Sequence, residues 1–378
     1  MKVLQICAAY KPAFIYGGPT MSVSMLSEQL AKAGIDTQVF ATTANGKTEL
    51  PVAVNLPVSV DGVTITYFRR ITKDHSHFSP SLLRNVWKDA RNYDVIHIHA
   101  WWNLVSLFSC LIALMRNVPV LLSPRGTLSQ YSFQNKNIGI KWLIHNLLGS
   151  HLLKRCHFHV TSVQESEAIH KLITPKSITI LPNFVKLQED YLITERPISS
   201  VFKLLFFSRI EEKKGLDLLI AALPYLTCPY TLTVAGDGDI SYINELKALA
   251  EKNAVDGNIK WVGFQGANKF ELLHNHDLLV LPSYDENFGN VVIESLSQGT
   301  AVLVSHFVGL SDYITNNNLG WECEANATSV SNMINLIYKK QDELTRIRIN
   351  APGIIAADFN NDNLIKRYID MYNTIING

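Results

Sequence analysis

Two glutamates, Glu286 and Glu294, enclose the run Asn-Phe-Gly-Asn-Val-Val-Ile and follow the apolar stretch Leu278 to Leu281 and Pro282-Ser283. Gly289 stands where a strand gives way to a helix, so Glu286 falls in the loop and Glu294 just over one turn into the helix. The N–H groups exposed at a helix start favour an anion, and glycine lets a ligand approach closely. The run therefore suits a phosphate seat flanked by two acceptors for hydroxyl groups. Standing alone it would suit a helix cap and a surface glutamate better. A second run accompanies it: Ser208-Arg209-Ile-Glu-Glu-Lys-Lys214-Gly215 also follows a strand and precedes a helix. Arg209 and Lys214 bracket that loop. A bidentate guanidinium and an ammonium converging on a dianion are what a diphosphate needs, because charge-assisted bonds are about twice as strong as neutral ones. Lys213 reads as part of a solvated basic turn.

The elements that must carry these loops follow from the length and the pattern. A chain of 378 residues exceeds one ordinary core, and at roughly 150 residues per domain it divides into two. With 47% hydrophobic and 18% charged residues it has the composition of a globular protein, not of a disordered, collagenous or coiled-coil one. A net charge of +1, with no basic tail, gives no support to nucleic acid as a partner. The five cysteines lie far apart without a CxxC pair, which points to a reducing cytosol and away from a disulfide framework or zinc site. The first residues lack the apolar core and cleavage site of a signal peptide. The longest apolar run, Leu104 to Met115, is too short to span a bilayer, which takes about 20 residues, and reads as a buried helix.

Along the first half, short apolar runs alternate with helical patterns. Strands are expected at Val3 to Cys7, Thr37 to Ala41, Val63 to Tyr67, Val95 to His99, Val118 to Ser123, Phe158 to Thr161 and Ile178 to Leu181, with helices between them. Such β-branched runs separated by helices indicate a parallel sheet covered on both faces. The pattern breaks at Pro182-Asn183 and through the polar stretch Lys186 to Ser200, where the linker is placed. A second alternation begins at Leu204 to Phe207 and continues through Thr231 to Ala235, Ile259 to Val262, Leu278 to Leu281 and Ala301 to Val304. The expected fold is α/β, two facing doubly wound domains with a cleft between them, and ligands bind such sheets beyond the carboxyl ends of the strands. Charge divides unevenly: residues 1 to 190 carry +8 and the remainder −7. Either the domains attract each other or a basic first domain faces an anionic surface. A helix expected over about Ile138 to Lys154, with Lys136, Lys141 and Trp142 near its start, raises the second possibility, although an apolar helical face is more commonly core.

These motifs, in this order, resemble those of the family 4 retaining glycosyltransferases of the GT-B fold, the group 1 glycosyltransferases. The resemblance runs through Gly17-Gly18-Pro19-Thr20, Asp94-Val-Ile-His-Ile-His99, Pro124-Arg125-Gly126, Pro182-Asn183, Arg209 with Lys214-Gly215, Gly236-Asp-Gly238 and the Glu286 to Glu294 element. It implies an acceptor-binding domain over 1–190, a nucleotide-sugar-binding domain over 191–358 and a terminal helix over 359–378 that returns to the first domain. It further implies that Glu294 accepts from the ribose hydroxyls and Glu286 from those of the donor sugar. Arg209 and Lys214 would neutralise the diphosphate, with backbone N–H groups of Phe288, Gly289 and Asn290 beside them and Gly17 and Gly18 approaching from the first domain. His99 matches a histidine that contacts the sugar near its reacting carbon; His97, two residues back on the same strand face, is its rival. The catalytic set is thus His99, Glu286, Arg209 and Lys214. Arg125 stands where many relatives have histidine, and both meeting an acceptor phosphate and packing on the linker remain open. Ser208 and Asn361 depart from the usual Gly and Trp.

A nicotinamide site would want G-x-G-x-x-G in the first β-α turn, and Gly17-Gly18 is followed by Pro19-Thr20-Met21 instead. Asp237-Gly-Asp239 is explained by helix capping. The expected activity is transfer of a sugar from a nucleotide diphosphate donor, UDP- or GDP-linked, to a glycan or lipid-linked oligosaccharide in surface polysaccharide assembly. No cofactor and no metal are expected, and the location is the cytoplasm, with peripheral contact to an anionic membrane, at the inner face of the cytoplasmic membrane, left open. A nucleotide-sugar epimerase or hydrolase, or a non-catalytic binding subunit, is the alternative.

Overall fold

A computed structural model of the chain describes residues 1–134, 138–188, 200–266 and 268–378. Contacts between residues gather into two compact units, Met1–Phe184 together with Asn361–Gly378, and Val185–Asn360. Of the expected linker, residues 189–199 lie outside the described residues, as do Asn135 and Lys136.

The first unit is built on β1 (Lys2–Cys7), β2 (Asp36–Thr42), a short hairpin of β3 (Ala44–Asn45) and β4 (Thr48–Glu49), β5 (Pro57–Val60), β6 (Val63–Phe68), β7 (Val95–His99), β8 (Val120–Ser123), β9 (His157–Val160) and β10 (Ser177–Ile180). Eight of these form one sheet in the order β10-β9-β8-β7-β1-β2-β6-β5. All its pairings are parallel except β5 with β6, which the sequence reading missed. Those two strands are joined by Asp61-Gly62, both with positive φ, the geometry of the tight hairpin turn that an Asp-Gly dipeptide favours. Every residue of β7 and β8 is buried, as expected of strands covered on both faces. Helix Leu104–Met115 supplies part of that cover, capped by Asn103, whose side chain accepts from the Ser106 N–H. The helix expected from Ile138 to Lys154 runs over residues 138–153, with one π turn, His145–Gly149, between its α-helical stretches Ile138–Ile144 and Ser150–Leu153.

The second unit carries β11 (Phe202–Phe207), β12 (Tyr230–Ala235), β13 (Ile259–Gly263), β14 (Leu278–Leu281), β15 (Ala301–Ser305) and β16 (Gly320–Cys323). Its sheet is wholly parallel in the order β13-β12-β11-β14-β15-β16. The direction of winding reverses between β11 and β14, and in the first sheet between β1 and β7. Such reversals open a crevice at the carboxyl ends of the strands. The chain leaves the second unit at Asn360, and its last helix, Asn361–Asn377, belongs to the first. That helix buries Leu364, Ile365, Tyr368, Met371, Tyr372 and Ile375 against Val3, Leu26, Val95, Leu121 and Phe184, the spacing of one apolar stripe.

Candidate functional site

The two loops singled out in the second half both leave strands at the winding reversal. β11 and β14 are direct neighbours, with Leu204 beside Leu278 and Leu205 beside Leu279. Gly215, in the left-handed region at φ +69°, ends the first loop, and a Cβ there would lie 2.1 Å from the Pro282 carbonyl oxygen of the second. Only glycine allows that approach. It brings Lys214, 6% exposed, onto Glu286, to which its Nζ donates. Burial pushes the Glu286 carboxyl up, but Lys214, with Lys213 and Arg209 behind it, outweighs that and holds it below the ordinary carboxylate value. Lys213 is not the solvated residue expected: it is half-buried, and burial followed by repulsion from Lys214 lowers its ammonium pKa. Arg209 reaches Glu211 at 2.7 Å and keeps an exposed face.

Glu286 is fixed through its backbone as well, its N–H donating to Phe307 and its carbonyl accepting from Gly309. Gly289, at φ +89°, is the N-cap of helix Asn290–Ser297. Phe288 turns its ring into the core against Phe359, so what it can offer a ligand is main chain. Glu294, buried in the first turns of this helix, is paired with Lys269, which opens helix Lys269–His274. Lys269 had no signal in the sequence beyond being one basic residue after β13. The acids and cations here are therefore matched: Arg209 with Glu211, Lys214 with Glu286, Lys269 with Glu294. Such a set can trade carboxylate partners for phosphate or sugar hydroxyls with little change in net charge. Asp239 caps helix Ile240–Lys252 by accepting from Ser241 N–H, as its position suggested.

In the first unit, Gly17 (φ +62°) precedes helix Gly18–Lys32, whose first turn carries no acidic residue. His97 and His99 share a face of β7, with ring centres 4.2 Å apart, and both are buried. They lie in one chain of hydrogen bonds whose direction is fixed at both ends. Arg125 can only donate, so its Nε–H meets the Nδ1 lone pair of His99 at 3.3 Å. The His99 proton then sits on Nε2 and is donated to Oε1 of Gln5 at 2.6 Å. The Gln5 amide donates to the Tyr372 hydroxyl at 3.1 Å, and that hydroxyl to Nδ1 of His97 at 2.7 Å. His97 Nε2 donates to Ser123 Oγ at 2.7 Å, and Ser123 to Nδ1 of His159 at 2.6 Å. Nε2 of His159 ends the chain on the Leu181 carbonyl at 3.0 Å, which can only accept. Tyr368 lies beside that end and donates to the Pro182 carbonyl.

All three histidines are neutral in this arrangement. Burial is the main cause, with the Arg125 charge adding to it, and His159 is lowered to about 3. His99 is only 2% exposed, both its ring nitrogens are engaged, and the bond it accepts from Arg125 is the longest of the chain. Gln5, Ser123, His159, Tyr368 and Tyr372 escaped the sequence reading because their partners lie on different strands and on the last helix. Two residues just past β7 and β8, Ala100 (φ +64°) and Arg125 (φ +53°), sit in the left-handed region without being glycine. Such strain collects where a chain must aim a side chain.

The family model for glycosyltransferase family 4 matches residues 16–189, and that for glycosyl transferases group 1 matches residues 195–353. Between them they take in most of both units. The chain belongs to the family 4, group 1 glycosyltransferases. Membership makes it an enzyme that moves a sugar from a nucleotide-sugar donor, on the GT-B fold. The glycosyltransferase is 26% identical over 347 residues to a glycogen synthase of Mycobacterium tuberculosis, a match covering 85% of this chain and 82% of that one. Its fold is similar to that of sucrose-phosphate synthase from Thermosynechococcus elongatus (TM-score 0.77, 17% identity, 99% of both chains). It is also similar to Anabaena HepE in complex with UDP and glucose (TM-score 0.74, 18% identity, 99% of this chain and 100% of that one).

Proposed function

We propose that this glycosyltransferase is a retaining, metal-independent hexosyltransferase that takes the sugar of a UDP- or GDP-sugar and places it on a hydroxyl of a glycan or lipid-linked oligosaccharide, in surface polysaccharide assembly. The observation that carries the reading is the pairing of Lys214 with Glu286 at the reversal between β11 and β14, with Arg209 and a glycine-capped helix start beside it. In this reading Arg209 and Lys214 move onto the diphosphate, joined by the main-chain N–H groups of Phe288, Gly289 and Asn290. Glu286 and Glu294 turn to the hydroxyls of sugar and ribose, and Gly17, Gly18 and His99 serve the same donor from the first unit.

The chemistry follows from where charge develops. The bond from the sugar carbon to the diphosphate oxygen breaks, and the acceptor oxygen bonds to the same face of that carbon. The acceptor proton passes to the departing phosphate. Negative charge builds on the leaving diphosphate, and preorganised cations and N–H dipoles aimed there lower the barrier. Arg209 and Lys214 supply that charge without a metal ion. The remaining contribution is positioning of the hydroxyl.

The division of labour proposed is donor binding by the second unit and acceptor binding by the first. Cytoplasmic residence is supported by five free cysteines, all buried. Among the described residues no helix is long and apolar enough to cross a membrane. Peripheral contact with an anionic membrane is supported by Trp142, 61% exposed, and Leu147, 72% exposed, on the helix over residues 138–153 of the first unit. Thermal-shift screening of nucleoside diphosphates and their sugars, followed by product analysis with lipid-linked acceptors, tests the proposal. Transfer with the donor's anomeric configuration kept is expected. Donor turnover unaffected by any acceptor would instead mark an epimerase or hydrolase.

A further inference from the structure

Arg125 is a half-buried cation whose two hydrogen-bond partners, Nδ1 of His99 at 3.3 Å and Oδ1 of Asn183 at 3.0 Å, are both neutral. Among the described residues no carboxylate stands within ion-pair distance of it. Glu165, an acid whose charge does act on it, is turned to the main-chain N–H groups of Gly126 and Thr161. A desolvated charge without a counter-ion is costly, and that cost falls if a ligand brings the opposite charge. The setting is built for aim. Arg125 holds a left-handed backbone without being glycine, and its Nε is oriented by a ring whose own proton is placed by Gln5 and Tyr372. Two of its five N–H groups are engaged by these partners, which leaves the rest of the fork for two oxygens of one planar or tetrahedral anion.

We propose that Arg125 is an anion-recognition residue that takes a phosphate or carboxylate group carried by the acceptor. The inference rests on the glycosyltransferase reading and names a property of its acceptor. Phosphate could also come from the donor. The donor diphosphate, however, already has Arg209, Lys213 and Lys214 gathered in the second unit, so the acceptor is the source assigned to Arg125.

The test uses the full chain with arginine side chains labelled with 15N. The Arg125 Nε–H signal is identified by its loss in Arg125→Lys and, independently, in Arg125→Gln. Inorganic phosphate, added with UDP already saturating, should shift this signal saturably, and acetate should do so more weakly. The same phosphate response should persist in an Arg209→Ala/Lys214→Ala double variant that no longer binds UDP, so that loss of the donor site and loss of the Arg125 site are read separately. A signal that moves with UDP and then ignores phosphate would assign the anion to the donor. A signal indifferent to both would make Arg125 a structural residue. Either result overturns the proposal, and both are read on the unaltered protein, with two independent substitutions fixing which signal belongs to Arg125.

Discussion

Lys214 and Glu286 lie 72 positions apart, yet the Lys214 ammonium donates directly to the Glu286 carboxylate across the carboxyl ends of two adjacent strands. The pair is a sheet-level event: β11 and β14 must be neighbours and Gly215 must admit Pro282 before the two side chains can meet. Lys214→Ala or Arg209→Ala should lower turnover by about a hundredfold or more, comparable to losing a preorganised electrostatic donor. Steady-state kinetics on the purified, folded variants checks this. Near-normal turnover in both would take them out of the mechanism.

Both runs that form this site were legible because each is local, a strand, a short loop with glycine and a helix start. What the sequence could not supply was the set of partners. Lys269 pairs with Glu294 from a different helix, and nothing near Lys269 marks it out. Tyr372 and Gln5 are separated by almost the whole chain. In the fold, the parallel strands were legible from their apolar runs, whereas β5 was overlooked although Val60-Asp-Gly-Val63 carries a hairpin signal. Pro57 and the exposed alternate residues of that edge strand hid its apolar pattern. The π turn at His145–Gly149 had only the pair Gly149-Ser150 to mark it, and the apolar repeat running through it made a regular α-helix the natural expectation.

The Lys269–Glu294 pair separates the two glutamates. Glu294→Gln should weaken binding of a bare nucleoside diphosphate by about 1.5 to 3 kcal/mol, the scale of hydrogen bonds to a charged group. Glu286→Gln should spare the bare nucleotide and weaken only the intact nucleotide sugar. Calorimetry with both ligands on both variants decides it; equal losses for the bare nucleotide would refute the assignment.

Acid sensitivity follows from the buried histidines. His159 has its folded pKa lowered from 6.5 to about 3, so below 6.5 the unfolded chain binds the proton and the folded chain does not. Its contribution is complete above 6.5 and falls by about 1.4 kcal/mol per pH unit as pH drops towards the folded value. His97 and His99 are lowered in the same direction and add to the slope. Urea unfolding from pH 7 to 4 should show stability decreasing with acid. His159→Gln should reduce that slope by up to one proton, and an unchanged slope would contradict neutral burial of the ring.

The helix over residues 138–153 carries a separate prediction. Lys141 turns its ammonium to the Ser132 carbonyl, while the apolar Trp142 and Leu147 are exposed, as are the basic Lys154 and Arg155 at the helix end. The protein should co-sediment with vesicles containing anionic lipid more than with neutral ones. Added salt should weaken this as screening shortens to about 8 Å at physiological ionic strength. Replacing Trp142 and Leu147 with alanine should reduce binding while leaving transfer to a soluble acceptor intact. Indifference of the unaltered protein to vesicle charge would remove the membrane from the account.

The central claim is that the loops after β11 and β14 hold a nucleoside diphosphate. Isothermal titration of UDP and GDP into the intact protein and into Lys214→Ala measures it most directly. The account predicts saturable binding of one or both nucleotides to the intact protein, with affinity reduced at least tenfold in the variant, about 1.4 kcal/mol or more. Undiminished affinity in the folded variant, or no binding of either nucleotide to the intact protein, would contradict it.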